Sequence, residues 1–197
     1  MKAHLTLILS VIISLIFITT SISQERFRRG SYALGGGIGY SQENYSSKYF
    51  DYNEKSIAIK PRISYFIFNN ISADLQLGFG GHDEDGEYYD DRSWYWTKYE
   101  RVNSDLSIGL GSSFYLPLEK AYPFIRIGLS YYYKYAYQIP NKIDNETILN
   151  TSLGLAVFVS NSVALEPEFG YDHMIWSENN NLKNIYWFSF GIKYYVY

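Results

Sequence analysis

The sequence predicts an all-β fold, an eight-stranded antiparallel up-and-down transmembrane β-barrel preceded by a cleaved signal peptide. Three observations predict it. Apolar and polar residues alternate over most of the chain, the period-2 signature of strands with two unlike faces. No Asp, Glu, Lys or Arg occupies the apolar slots of any of those strands, while the opposite slots hold six bases and five acids. Turns and polar loops alternate in length along the chain, short on one side and long on the other, as in outer-membrane barrels.

Met1–Ser23 has the layout of a secretory signal: Lys2, the apolar run Leu5–Ile18, and Ser21-Ile22-Ser23 with small residues before the cut. The run is shorter than the ~20 residues that span a bilayer as a helix. The mature barrel domain is therefore expected over residues 24–197. The 197 residues contain no cysteine, which excludes disulfides, thiolate metal sites and a lipid-anchored cysteine. Net charge is -3 with dispersed basic residues, so nucleic acid is not an expected partner. Aromatics reach 19% of the chain, with 22 tyrosines, in keeping with a membrane-interface protein.

Taking the strands in order, Ser31–Gln42 sets Tyr32, Leu34, Gly36, Ile38 and Tyr40 against Ser31, Ala33, Gly35, Gly37 and Gly39. The polar stretch Glu43–Glu54 reads as a loop. Ser56–Gly80 is a hairpin around Asn69-Asn70, with Ile57, Ile59, Pro61, Ile63, Tyr65 and Ile67, then Ile71, Ala73, Leu75, Leu77 and Phe79, on one face. Its other face carries Lys60, Arg62 and Asp74. Gly81–Tyr99 reads as the longest loop, with an acidic block at Asp83, Glu84, Asp85, Glu87, Asp90 and Asp91 and an aromatic block at Trp94-Tyr95-Trp96.

Arg101–Tyr115 places Leu106, Ile108, Leu110 and Phe114 opposite Arg101 and Asp105. Pro123–Tyr135 places Ile125, Ile127, Leu129 and Tyr131 opposite Arg126 and Lys134, and the polar stretch Ala136–Ile148 reads as a loop. Leu149–Val159 and Val163–Asp172 flank the turn Ser160-Asn161-Ser162, the latter strand carrying Glu166, Glu168 and Asp172 on its polar side. After the loop His173–Lys183, the last strand sets Tyr186, Phe188, Phe190, Ile192 and Tyr194 against Ser189, Gly191 and Lys193. Pro61 and Pro167 fall mid-strand, where each removes a ladder donor.

A lipid-facing Arg or Lys costs about 2–4 kcal/mol at mid-bilayer, so the charge-free face is expected to meet acyl chains. Eight strands enclose a narrow lumen that side chains fill. Lys60, Arg62, Arg101, Arg126, Lys134 and Lys193 are expected to pair there with Asp74, Asp105, Glu166, Glu168 and Asp172, because buried charges need partners. Eleven of the fifteen glycines share these polar slots and leave room for the long side chains. The lumen is expected to be a plug of ion pairs rather than a pore.

The segments KPRISYFIFNNISADLQLGFG, LGSSFYLPLEKAYPFIRIGLSY and LGLAVFVSNSVALEPEFGY, with a last strand ending FGIKYYVY, resemble the small outer-membrane β-barrel domain family of Bacteroidetes-type bacteria and, more distantly, OmpX- and OmpA-like barrels. The resemblance spans the mature chain. It implies insertion by the β-barrel assembly machinery and, for most members, no assigned activity. The even strand count puts both termini on the short-turn, periplasmic side. The chain is expected as a monomer in outer-membrane lipid and lipopolysaccharide, with no cofactor and no enzymatic activity. Such barrels commonly end in an aromatic in step with the apolar set; here Tyr197 is one position out of step, so the strand is expected to end at Val196.

Other constellations point elsewhere. The acidic block suits Ca²⁺, but its spacing matches no EF-hand loop and it reads as a solvated extracellular loop. Tyr88, Tyr89, Trp94, Tyr95 and Trp96 are candidate contact residues of an extracellular loop, or part of an aromatic girdle. Asp172, His173 and Ser177 invite comparison with a rim-site lipid A hydrolase, although three such residues in one loop make poor catalytic geometry. A soluble lipocalin-like carrier is the other alternative; it needs an apolar interior, the reverse of this pattern. A small pore comes third.

Overall fold

The computed structural model describes residues 27–46, 50–90, 95–118, 121–136, 143–177 and 184–197. The signal segment 1–23, Trp94 and Asp91 lie outside the described residues. Eight strands follow in sequence: β1 (Tyr32–Ser46), β2 (Phe50–Phe68), β3 (Ile71–Asp90), β4 (Tyr95–Tyr115), β5 (Ala121–Ala136), β6 (Ile143–Phe158), β7 (Val163–Ser177) and β8 (Asn184–Val196). Each pairs antiparallel with the next, and β1 pairs with β8 from Tyr32–Val196 to Ser41–Trp187, closing the barrel. Closure leaves no edge strand with unpaired backbone groups.

Alternation decides which side chains point where. Ile38, Ile57, Phe79, Ile108, Leu110, Leu129, Leu153, Phe188 and Ile192 all face outward and are exposed, whereas Ser64, Asp74, Arg126, Glu168 and Lys193 on the opposite parity are buried. The sheet is thus apolar outside and charged inside.

The three short connections gather at one end. Asn70 takes a left-handed φ of 65° in the two-residue turn between β2 and β3, a conformation asparagine tolerates. Between β6 and β7, the Ser160 hydroxyl accepts from the Val163 N–H at 3.1 Å, and the Val159 N–H donates to the Val163 carbonyl at 2.9 Å. Leu116–Leu118 leads from β4 toward β5. Both described ends of the chain, Phe27 and Tyr197, lie at this short-turn end; β8 stops at Val196, and the Tyr197 hydroxyl reaches past it to donate to the Asn161 carbonyl at 3.0 Å.

All four expected long loops are instead, in part, the far ends of strands, His173–Ser177 of the expected loop His173–Lys183 being the end of β7. Gly81–Tyr99 is mostly a hairpin in which Asp83 pairs Val102, Asp85 pairs Glu100 and Tyr89 pairs Trp96. Glu43–Glu54 contributes to β1 and β2, and Ile143–Ile148 belongs to β6. Acidic residues are poor strand formers, but a partner strand already in register satisfies their backbone groups and outweighs that local preference.

The two mid-strand prolines cost little register. The β2–β3 ladder passes from Ile59–Phe79 directly to Arg62–Gln76, skipping Pro61, while Pro61 still pairs Gly36 of β1. In the same way β6–β7 skips Pro167, which still pairs Phe190 of β8. Each ring therefore turns its missing N–H toward one ladder and leaves the other whole.

The interior is not ionic along its whole length. At the short-turn end it is aromatic: Phe66, Tyr115, Tyr122, Phe124 and Tyr195 point inward with Phe27, all fully buried or nearly so. These residues share the parity of the charges, but they lie at strand ends where runs of aromatics mask the alternation. The expected ion-pair plug occupies only the region above this floor.

Candidate functional site

The polar lumen is the part of the chain with chemistry to offer, and adjacent strands supply it in layers. Arg126 of β5 is the hub of the middle layer. Its Nε donates to Ser113 Oγ at 2.9 Å and lies 3.3 Å from Asp74 Oδ2, while its Nη1 donates to Glu168 Oε1. Arg62 of β2 reaches the other Glu168 oxygen at 3.4 Å and clamps Gln76 Oε1 through Nη2 at 2.6 Å. Ser152 adds a donor to Glu168 at 2.5 Å, and Ser72 donates to Asp74 at 2.8 Å. Two cations and two anions thus neutralise one another, and serine and glutamine satisfy further positions, while Arg126 Nη2 is buried with no hydrogen-bond partner among the described residues.

Below this layer, Lys193 Nζ donates to Tyr115 Oη at 2.9 Å and lies 3.7 Å from Glu166, which accepts from Tyr195 Oη at 2.7 Å. Above it, Asp172 accepts from Asn150 Nδ2 at 2.8 Å, and Lys60 sits over the Trp187 ring, 4.4 Å from its centroid. Glycines make the room: a Cβ at Gly154 would collide with the Phe124 ring, and one at Gly170 with the Trp187 ring.

Beyond the apolar belt, where Asp83 and Asp85 of β3 turn outward into the open, His82 turns inward between two carboxylates. Its Nδ1 is 2.9 Å from Glu54 Oε1 of β2, and its Nε2 meets Asp105 Oδ2 of β4. Nε2 hydrogen-bonds Asp105, whereas the Nδ1 approach to Glu54 is a contact of charges without hydrogen-bond geometry; two carboxylates on one ring favour the imidazolium. Burial alone would lower the His82 pKa, but Asp105 and Glu54 outweigh it and raise the value to about 9.

Of the eleven residues predicted for the lumen, the structure brings Arg62, Asp74, Arg126 and Glu168 into one cluster, and Glu166 with Lys193 into another. Asp105 pairs instead with His82. Lys60 and Asp172 face the interior beside Trp187. The side chains of Arg101 and Lys134, and those of Tyr88, Tyr89, Tyr95 and Trp96, lie outside the described residues. The sequence missed His82, Trp187, Tyr132 and Phe27. For the first three the signal was their lumen parity; for Phe27, which precedes the first strand, alternation holds none.

The hydrolase constellation does not assemble. Asp172 points into the lumen, whereas the next residue, His173, faces outward and bonds Asn184 Oδ1 at 2.7 Å. No group of three or more His, Asp or Glu suited to a metal ion occurs among the described residues. Asp83 and Asp85 of the acidic block face outward, away from the inward His82 and the lumen carboxylates.

Among the described residues, cavities of about 60, 30 and 10 Å³ are stacked from the long-hairpin end toward the aromatic floor, and Lys60 lines each of these. Each has room for no more than a few waters.

No known protein family matches the sequence, and no curated protein matches it. Solved structures do share the fold. The outer membrane protein OprG of Pseudomonas aeruginosa superposes with a TM-score of 0.62 at 10% identity, over 86% of this chain and 97% of its own. Neisserial surface protein A gives 0.57 at 14% identity, over 84% and 99%. Ail, the attachment invasion locus protein of Yersinia pestis, in complex with the heparin analogue sucrose octasulfate, gives 0.51 at 12% identity, over 85% and 99%. The architecture is that of a small outer-membrane β-barrel.

Proposed function

We propose that this chain is an integral outer-membrane protein whose barrel serves as a closed, non-enzymatic scaffold for long hairpins displayed outside the cell. Its role would be structural in the envelope or in surface contact. The observation that carries the reading is the inverted polarity of the sheet: exposed Leu, Ile and Phe outside, paired charges inside. In water each such outward side chain would forgo about 1.5–3 kcal/mol of burial; against acyl chains it forgoes nothing. The apolar positions of β2 run from Ile57 to Ile67, which at a typical barrel tilt spans roughly 25 Å, the height of an outer-membrane apolar band.

The same arithmetic supports display. β2, β3 and β4 are 19, 20 and 21 residues long, about twice the 9–11 residues that a bilayer crossing requires. The surplus would rise from the outer leaflet as paired hairpins, putting Tyr88, Tyr89, Tyr95 and Trp96 near their tip as contact candidates. The termini at the short-turn end would then be periplasmic, consistent with a leader removed after Ser23. Outer-membrane lipid, lipopolysaccharide and, during insertion, the β-barrel assembly machinery are the partners this placement requires. The interior ion pairs would serve to hold eight strands around a filled lumen rather than to pass solute.

Envelope fractionation with gel electrophoresis tests the reading. The chain is expected in the outer-membrane fraction, with faster migration unheated than boiled and with protease cutting near Tyr95 on intact cells. A mature chain that refolds and stays monomeric without detergent would overturn it in favour of a soluble carrier.

A further inference from the structure

The short-turn mouth of the barrel is sealed by a side chain that no strand supplies. Phe27 is fully buried there, stacked on Tyr115 at 4.4 Å between centroids, edge-on to Tyr122 at 4.8 Å, and 5.4 Å from both Phe66 and Tyr195. Its segment hangs on the Asn69-Asn70 turn by a few isolated bonds. The Asn70 N–H donates to the Phe27 carbonyl at 2.8 Å, the Arg29 N–H to Asn69 Oδ1 at 2.9 Å, and the Gly30 N–H to the Phe66 carbonyl at 2.9 Å. Gly30 joins the segment to β1 with a φ of 89°, open to the left-handed backbone that glycine adopts freely, and a Cβ placed there would meet nothing within 4 Å.

Directly above this ring stand the Tyr115 and Tyr195 hydroxyls, and they bond Lys193 and Glu166. Lys193 and Glu166 line the innermost cavity, which also touches Ser189 and Lys60, and Lys60 continues into the two cavities above. Phe27 therefore stands between the solvent at one end and a stack of polar cavities. The surrounding aromatics are fixed on ladders that run the length of each strand; Phe27 is fixed by its ring and by a few bonds of its short segment, in which the Ser31 N–H and hydroxyl also donate to the Arg28 carbonyl at 3.1 and 2.5 Å. Segments with so few bonds open locally while the rest of a structure stays folded.

We propose that residues 27–30 form a hinged stopper: Phe27 swings out about Gly30 with all eight strands paired, and its departure admits water and small hydrophilic molecules to Lys193, Glu166 and the cavity above them. This goes beyond the closed scaffold proposed above, because it assigns closure at this end to the N-terminal segment rather than to the barrel wall.

The chain has no cysteine, so Ser189→Cys places one thiol in the innermost cavity. Its reaction with a small charged methanethiosulfonate, in detergent-folded protein, reads access to that cavity. With Phe27 present the thiol is expected to react slowly. Adding Phe27→Ala should accelerate the reaction at least tenfold while heat-modifiable migration persists, and Phe27→Leu should bring it most of the way back. An unchanged rate in folded Phe27→Ala protein would overturn the stopper. Hydrogen exchange on the unsubstituted protein supplies a second, independent reading should the alanine variant fail to fold. The Gly30 and Asn70 amides are expected to exchange at least a hundredfold faster than the ladder amides of β1 and β8; exchange in step with the ladders would overturn the hinge.

Discussion

Arg126 of β5 and Glu168 of β7 join hands across the intervening strand, and Ser152 of that strand donates to the same carboxylate oxygen at 2.5 Å. Glu168 also holds Arg62, so one carboxylate serves two guanidiniums. Removing it leaves Arg62 without a carboxylate and Arg126 with Asp74 alone, and leaving a buried charge unpaired costs about 3–5 kcal/mol. Glu168→Leu should therefore lower the urea midpoint of the vesicle-folded protein by an amount of that order. Glu168→Gln, which keeps an acceptor oxygen in place, should lose less. Gel-shift titration in urea checks both, and a midpoint unmoved by Glu168→Leu would show that the lumen network is not needed to hold the barrel.

β1 is squeezed where the barrel closes. A Cβ at Gly35 would approach the Lys193 Cα at 2.7 Å and collide with the Ile192 carbonyl, both backbone and unable to give way. At Gly81, outward and beyond the belt, an added methyl would meet nothing within 4 Å. Gly35→Ala should destabilise by about 1–3 kcal/mol, the usual cost of overpacking, whereas Gly81→Ala should be close to neutral. The same urea titration separates them; equal midpoints would mean that the β1–β8 seam relaxes more than its geometry suggests.

How legible all this was in the sequence depended on which force set each feature. The outward face was legible residue by residue, from Tyr32 to Tyr194, because the absence of charge from one parity is a constraint that local context does not blur. The strand lengths were not. Asp83 and Asp85 sit in β3 because a partner strand accepts their backbone, and partner strands are not visible in local propensity. His82 reads as one more polar residue of an acidic run; its two carboxylates come from other strands, Asp105 lying 23 residues away. Phe27 precedes any periodic pattern, and only the assembled mouth shows why a phenylalanine stands there. Tyr115, Tyr122 and Trp187 had the parity of the interior, but parity alone does not mark an aromatic as buried.

Leu110 tests the orientation of the sheet. It is among the most exposed apolar residues, 68% accessible, near the middle of the β4 belt, with the inward Gly111 beside it. If the belt meets hydrocarbon, Leu110→Arg should cost about 2–4 kcal/mol, as lipid-facing arginines do at the midplane. The same substitution on a water-facing surface would fall within about 0.5 kcal/mol of neutral. Urea titration in vesicles discriminates between the two, and a spin label at Leu75 should report hydrocarbon from the same belt. A neutral Leu110→Arg together with a water-exposed label would mean that this face is not lipid-facing.

His82 gives the barrel a pH dependence at its long-hairpin end. The imidazolium ties β2, β3 and β4 through Glu54 and Asp105. Its folded pKa of about 9 lies above the ordinary value of 6.5, so the folded state holds the proton more tightly than the unfolded chain does. Stability from this group is therefore complete below about pH 6.5 and is lost as pH rises toward 9. The shift corresponds to an upper limit near ~3 kcal/mol, and water at the mouth of the lumen screens part of it, leaving about 1–2 kcal/mol. The urea midpoint of the native chain should fall across pH 6.5–9, and His82→Gln should flatten that fall while lowering the midpoint at pH 6. Glu54→Gln removes one of the two anions that raise the folded pKa, so the fall should still begin near pH 6.5 but be smaller and end at a lower pH. If His82→Gln followed the native curve at every pH, the ring would be contributing no charge to the tie between these strands.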